Sequence, residues 1–596
     1  MLKWVIGGLA ALALVAAGIG FVRWQWPDPR QIYIFQGVSG PSKRSVIAPP
    51  RMAKIADYER GGPHRLAILV TDETSGWLGL VLAFKSHGVP VTVTRDPARA
   101  LRHKVVFVYP LISGRTVTPA NLRAMSAHVR SGGTLMTFNL AGGGLQEVFG
   151  VTGVREGRER STVDWARPSG IQEEDQIRIS REGMLAMGTV GYVPSTATVL
   201  GTFNDGTAAI TCREAGGRAC LVGVDIGSLA GRVMNGRGEP IARAYVNAYE
   251  PGLDVLVRHV RDLYVQGEPY TFLLSTAPAG AEVSMVFTHD VDFTRSVTNA
   301  YAYQEMLRPY GISGTFFIQT KYIRDYNDDI FFNAQTTPAI RALSAAGGEL
   351  GSHTVAHSAV LAIQHLGSGR ERYPLYRPFV ETRRSVRGAT VMGEVRVSKF
   401  LLEKFGKTTV VSFRPGELSY PFNLPEVLQA SGYKYSSSIT ANSTLTHLPY
   451  QLTYERQNGA LTSIYEFPVT IEDELPPALP DRLEVMDGLI QKIARHQGMV
   501  VMLMHPNITG KKLAFEETLV RRWRNRAWMG SLSQFGDWWT ARDALELDVV
   551  VQNGRPVLMA AAGPATRAIA VKLPKSTSAE IRLDLRAGER RETPIG

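Results

Sequence analysis

The sequence predicts an α/β protein in several domains: a doubly wound parallel sheet, then an incomplete (β/α) barrel, then a small all-β appendage. Three observations carry that expectation. Apolar, β-branched runs alternate with amphipathic helical patterns through most of the chain. Carboxylates, imidazoles and an arginine stand at the ends of such runs, where parallel α/β folds place their chemistry. The last fifty or so residues switch to short alternating strands separated by turns. A chain of 596 residues exceeds one hydrophobic core. Its 44% hydrophobic and 20% charged residues are those of a globular protein. The net charge of +12 suits contact with an anionic polymer or lipid head groups, and equally an ordinary basic protein; no nucleic-acid motif accompanies it, so no nucleic-acid partner is expected.

In chain order, the first segment (1–24) contains an apolar run from Trp4 to Val22, between Lys3 and Arg23. Its length is close to the ~20 residues that cross a bilayer. A secretory signal is the rival reading. Trp24 and Trp26 follow as an interfacial pair would, which favours an uncleaved anchor. Residues 25–61 read as an irregular linker rich in Pro, Gly and Ser.

Residues 62–268 show the first alternation. HRLAILVTD, VPVTVTRD, KVVFVYPLI and TLMTFNL read as strands. SGWLGLVLAFKSHG reads as a helix ending in Gly, and TPANLRAMSAHVRSGG as one with a Thr cap and a Gly stop. Cys212 and Cys220 flank the turn of a hairpin, TAAITC and ACLVGVD. They can form a disulfide or remain two buried thiols; their spacing does not suit a metal.

Residues 269–545 hold seven proposed strands: EVSMVFT, SGTFFIQT, GELGSHT, VVSF, YKYSSS, YEFPVT and MVVMLMH. Helical patterns such as TPAIRALSAAGG and EVRVSKFLLEKFG interleave them. The first strand runs into His289, Asp290 and Asp292, and buried unpaired charge there is too costly without a metal or a partner. His353 and His357 are expected on one helical turn, four apart and on one face, able to share a divalent ion with an Asp. Arg414 precedes a Pro-Gly turn, and His505 ends the last strand. A lone His there is more often structural; four such strand ends in this order are hard to assign to packing. Trp538 and Trp539 lie in a closing helix and are expected in the core. The Arg521–Arg526 run is expected to be a solvated face. Residues 546–596 suggest a small β-sandwich-like appendage.

The order strand–Asp290-x-Asp292, His353-Thr354-x-x-His357-Ser358, Arg414-Pro415-Gly416, strand–His505 resembles the NodB-homology polysaccharide deacetylases, carbohydrate esterase family 4, over roughly residues 270–545. The resemblance implies a distorted (β/α) barrel of seven or eight strands that removes acetyl groups from an N-acetylated amino-sugar polysaccharide. It implies a divalent metal, usually zinc, on Asp292, His353 and His357. It further implies Asp290 as base, Arg414 as the cation paired with it and His505 as general acid. Three departures stand out. The family's TFDDG is here THDVD, with His289 lacking a counterpart: it either orients Asp290 or is a bystander. RPPYG is here RPGEL, shortening the loop that usually supplies an oxyanion-hole amide. The usual Asp and Trp of the fourth motif are missing from residues 432–438. The polymer could belong to an envelope or exopolysaccharide; peptidoglycan, a non-sugar amide, or a lapsed polysaccharide-binding role remain alternatives. Such a substrate places the barrel outside the cytoplasm, anchored by the N-terminal run or secreted if that run is cleaved. Residues 62–268 are similar to class I glutamine-amidotransferase-like, flavodoxin-like domains. The elbow after TLMTFNL is Ala141-Gly142-Gly143-Gly144, without the nucleophilic Cys, which implies a non-catalytic unit.

Overall fold

The computed structural model describes residues 32–157, 160–165, 176–179, 188–235, 247–456 and 459–596. Two large sheets organise it. In the first, β1 (Leu66–Val70), β2 (Val91–Thr94), β3 (Val105–Ile112) and β4 (Thr134–Leu140) run parallel in the order β2-β1-β3-β4. Helices cover both faces, as near-continuous apolar strands require. Leu66, Ile68 and Val70 face a core shared with α1 (Trp77–Ser86). Ala67 and Leu69 face the opposite core, which α2 (Pro119–Arg130) closes with Leu122, Met125 and Val129. Thr118 caps α2 as expected, its hydroxyl accepting from the Asn121 amide. The long helix α3 (Gly252–Gly267) returns to the first core.

Beyond β4 the expected all-parallel sheet needs correction. Gly217–Val222 lies parallel to β4, but Ala208–Ala215 pairs with it antiparallel, and further antiparallel strands extend the sheet to eleven. The cause is local: the two runs are joined by a tight turn through Gly216 (φ +87°), not by a crossover helix, so they must form a hairpin. Cys212 and Cys220 face each other across it with Cα atoms 4.1 Å apart and are joined as a disulfide.

The second sheet has a strand within six of the seven expected runs, two of them only two residues long; the seventh, YEFPVT, contributes only Tyr465 and Glu466, at the end of a strand that begins at Leu461. The sheet is built from β5 (Val283–Val291), β6 (Thr315–Ile318), β7 (Glu349–Ser352), β8 (Ser412–Phe413), β9 (Tyr435–Ser436), β10 (Leu461–Glu466), β11 (Ile471–Glu472) and β12 (Met499–Met504). They run parallel in the order β10-β9-β8-β7-β6-β5-β12-β11, an open path with the antiparallel Tyr450–Thr453 at one edge. Val286, Phe317, Phe467, Val501, Leu503 and Trp539 fill the space inside it. Trp539 is fully buried, as expected, and Trp538 is partly buried beside it. The expected helices appear as Thr337–Ala345 and α4 (Val391–Gly406). The arginine run is solvated and paired: Arg521, Arg522 and Arg526 reach Glu517, Glu484 and Glu282.

The C-terminal segment forms two three-stranded sheets around one core of Val549, Leu558, Ile569 and Leu583. One of its strands, Leu273–Leu274, comes from ahead of the barrel. The expected linker is a strap instead. Isolated bridges tie Ile32 to Ile323, Gly40 to Tyr373 and Met52 to Ala460. Phe35 is buried among Phe332, Tyr373 and Phe405, so apolar contact holds the strap to the elements around the second sheet.

The expectation of a membrane-anchored protein is corrected: no helix among the described residues is long and apolar enough to cross a membrane. The Trp4–Val22 run that motivated it lies outside the described residues.

Candidate functional site

β5 carries the site at its C-terminal end. The strand is three residues longer than its apolar run suggests and continues to Val291. Side chains alternate along it, so Asp290 and Asp292 share a face and His289 takes the other. His289 is fully buried, stacks on Phe316 at 4.6 Å and meets Glu516 at 3.0 Å. It is a bystander that packs the strand's back and does not touch Asp290.

Asp290 lies 2.7 Å from Nη1 of Arg414, which is itself fully buried. The guanidinium spends its other donors on Ser437: Nε to the carbonyl at 2.8 Å and Nη2 to the hydroxyl at 2.8 Å. Burial alone would raise the Asp290 pKa, but the Arg414 charge outweighs it and holds the carboxyl below the usual range.

His353 and His357 do not sit on a helical turn. β7 ends at Ser352 and the chain makes an irregular turn, with Thr354 at φ +66° and His357 at φ +53°. Glu417 (φ +58°) and Leu418 (φ +48°), in the facing loop, are also left-handed. Non-glycine residues in this region cost of order 1–3 kcal/mol each and persist where surrounding contacts impose them. Gly416 allows the two loops to meet: a Cβ there would lie 2.6 Å from His357 Cδ2. The turn achieves by strain what the expected helix would have done by periodicity, and both imidazoles face Asp292.

One ligand atom from each of Asp292, His353 and His357 lies within 4.8 Å of the others. Their fit to a cation can be judged from the hydrogen bonds. His353 Nδ1 is 2.9 Å from the Arg414 carbonyl oxygen, which can only accept, so Nδ1 carries the hydrogen. Burial pushes the His353 pKa down to about 4. The ring is therefore neutral near pH 7, and Nε2 presents a lone pair 3.4 Å from Asp292 Oδ1. That oxygen is buried and accepts no hydrogen bond. Burial pushes Asp292 up to about 7, a sign that its charge lacks compensation. Electron-pair donors converging without a proton between them fit a divalent cation.

His505 faces Asp292 from β12, with Nε2 3.6 Å from Oδ2. Its Nδ1 is 2.6 Å from Asp473, which also accepts from the His505 amide and from Lys512. Burial lowers the His505 pKa, but the Asp473 hydrogen bond and charge overcome it and push it up to about 10. The same bond brings Asp473 down to about 2 against burial. Sequence reasoning sought this kind of carboxylate in residues 432–438 and missed it in Asp473. Its signal was the one used for Asp290, a carboxylate just past a strand end, here β11. Glu394 and Asn327, whose contacts are with the backbone of the histidine turn, carried no such signal. Asp292, Asn327, His357, Asp473 and His505 open on a cavity of about 540 Å³ lined also by Phe293, Asp328, Glu417 and Glu474.

The polysaccharide deacetylase family model matches residues 280–436. No curated protein matches the chain. Among solved structures, the chain is similar to the Xyl-CE4 domain of a multidomain xylanase from the hindgut metagenome of Trinervitermes trinervoides, at 12% identity over 43% of this chain and 90% of that one, TM-score 0.27. It is similar to the peptidoglycan deacetylase PdaC of Bacillus subtilis, at 12% identity, 43% and 90% coverage and TM-score 0.25. It is also similar to a CE4-family pseudoenzyme from Bacillus anthracis, at 14% identity, 44% and 70% coverage and TM-score 0.26. The strand end with its two aspartates, the histidine turn and Arg414 all lie inside the segment that the polysaccharide deacetylase family model matches.

Proposed function

We propose that the protein is a metal-dependent N-deacetylase acting on an N-acetylated amino-sugar polysaccharide. The observation that carries the reading is the convergence of Asp292, His353 and His357, with Asp292 Oδ1 buried and free of any hydrogen bond. These three would hold a zinc ion, whose two-imidazole, one-carboxylate set leaves room for substrate and water. When bound, the metal supplies Lewis acidity to the amide carbonyl and makes water a better nucleophile.

The chain's own residues do the rest. Asp290, kept ionised by Arg414, takes a proton from the attacking water. Arg414 also fixes the carboxylate's direction, since its remaining donors are tied to Ser437. His505 gives a proton to the leaving amine nitrogen as the C–N bond breaks, and Asp473 holds the ring so that Nε2 faces the cavity. A cavity of about 540 Å³ admits a sugar unit with its neighbours extending outward.

Metal analysis tests the assignment. The purified wild type should carry about one zinc per chain, and the Asp292→Ala/His353→Ala double variant should carry none, because too few protein ligands remain. Stoichiometric zinc on the folded double variant would sink it.

A further inference from the structure

The turn between the two histidines is held from outside. It has no helical hydrogen bonds of its own, and two of its residues are left-handed. Glu394, in the first turn of α4, is 1% exposed and reaches this turn. Its Oε2 accepts from the amides of Val355 at 2.7 Å and Ala356 at 2.8 Å, the two residues midway between His353 and His357. Its Oε1 accepts from the Tyr376 hydroxyl at 2.9 Å. On the other side, Asn327 Nδ2 donates to the His357 carbonyl at 2.8 Å. Asn327 is anchored in turn by Asp325, whose Oδ1 accepts from the Asn327 amide at 3.0 Å and from the buried Lys321 at 2.6 Å.

A buried carboxylate is a costly way to pack a helix against a strand end; an aliphatic side chain would do so without the desolvation penalty. Here the carboxylate's hydrogen bonds go to the ligand-bearing turn and to the tyrosine that steadies it. The amides it takes would otherwise be buried donors without acceptors. Their loss would let the strained φ angles of Thr354 and His357 relax, and the two imidazoles would part.

We propose that Glu394 and Asn327 are positioning residues that preorganise the His353–His357 turn for metal, Glu394 from behind and Asn327 from the cavity side. The proposal rests on the metal reading above. It predicts a penalty in metal affinity, distinct from any penalty in folding.

The test compares wild type, Glu394→Leu, Glu394→Gln and Asn327→Ala for zinc uptake in competition with a chromogenic chelator. The melting temperature of each metal-free protein is measured alongside. Partners of this kind are worth about 10–100-fold in metal affinity. Glu394→Leu should therefore need 10- to 100-fold more zinc for half-saturation (an order-of-magnitude expectation), and Asn327→Ala about tenfold more. Glu394→Gln keeps a carbonyl oxygen for both amides and should stay within about threefold of wild type. A folded Glu394→Leu that saturates at the wild-type zinc concentration overturns the proposal, even if its metal-free melting temperature has dropped. If Glu394→Leu does not fold, Asn327→Ala decides, and wild-type saturation there overturns it as well. A wild type that takes no zinc removes the metal reading itself; a wild type that does, with variants that match it, removes only this inference.

Discussion

Asp290 and Asp292 are two residues apart on one face of one strand, yet their surroundings differ. Arg414 stabilises charge on Asp290, while burial opposes it on Asp292. Under the proposed function, this difference suits Asp290 to accept a proton and Asp292 to hold the cation. Asp290→Asn should keep its zinc and lose about 10²–10⁴ in turnover, the usual worth of a general base. Metal content and acetate release on Asp290→Asn and Asp292→Asn side by side check this; zinc lost from the first and kept by the second would mean the roles are reversed. Asp473→Asn should also retain metal and lose about 10²-fold in turnover or more, since His505 then lacks its orienting charge. A wild-type rate would show that His505 needs no such support. Of the six residues singled out from motif order, Asp292, His357 and His505 line the cavity, and Asp290, His353 and Arg414 adjoin them; all but His357 lie at or next to a strand end, and strand ends are legible as apolar runs that stop. Asp473 carries the same signal just past β11, but which carboxylate faces His505 depends on how β11 lies beside β12.

At the scale of elements, the site is two loops pressed together. Four left-handed residues and Gly416 mark the contact between the His353–His357 turn and the Pro415–Leu418 turn. Gly416→Ala forces a methyl to within 2.6 Å of the His357 ring, and the ring or the loop must move. Such overpacking costs about 1–3 kcal/mol. Weakened zinc binding with a lowered melting temperature is expected; an unchanged zinc titration would show that the turn adapts freely. The four parallel strands of the first sheet, its Cys212–Cys220 hairpin and most strands of the second were readable from periodicity, as were the Thr118 cap and the buried Trp539; the antiparallel strands between Val151 and Phe203 were not. The conformation of the histidine turn was not. Spacing by four fits a helix; in the structure Glu394 takes the Val355 and Ala356 amides, Asn327 holds the His357 carbonyl and Gly416 approaches the His357 ring. The hairpin at Cys212 and Cys220 shows the converse: its sequence pattern was read correctly, but its consequence, a sheet turned antiparallel, lies in how β4 accepts it.

For the whole molecule, the second sheet carries buried charge that should be visible in its stability. Glu466, at the end of β10, is fully buried; Oε1 accepts from the Ser438 and Ile439 amides, and Oε2 has no hydrogen-bond partner. Burial raises its pKa from 4.5 to about 7. The folded state therefore binds a proton that the unfolded state has released. Stability from this group is complete below about pH 4.5 and is lost as pH rises through about 7. At about 1.4 kcal/mol per unit, the loss is on the order of 3 kcal/mol. Glu466→Gln should flatten the dependence of unfolding free energy on pH across that window, measured by urea titration; an unchanged slope would mean the group titrates normally. The central claim concerns chemistry, and its most direct measurement is acetate release from a panel of N-acetylated polysaccharides, run before and after a chelator and again after zinc is restored. Release is expected from at least one amino-sugar polymer, abolished by the chelator, recovered with zinc, and absent in Asp290→Asn. Release that persists without metal, or no release from any N-acetylated amino-sugar polymer by the zinc-loaded protein, would contradict the claim.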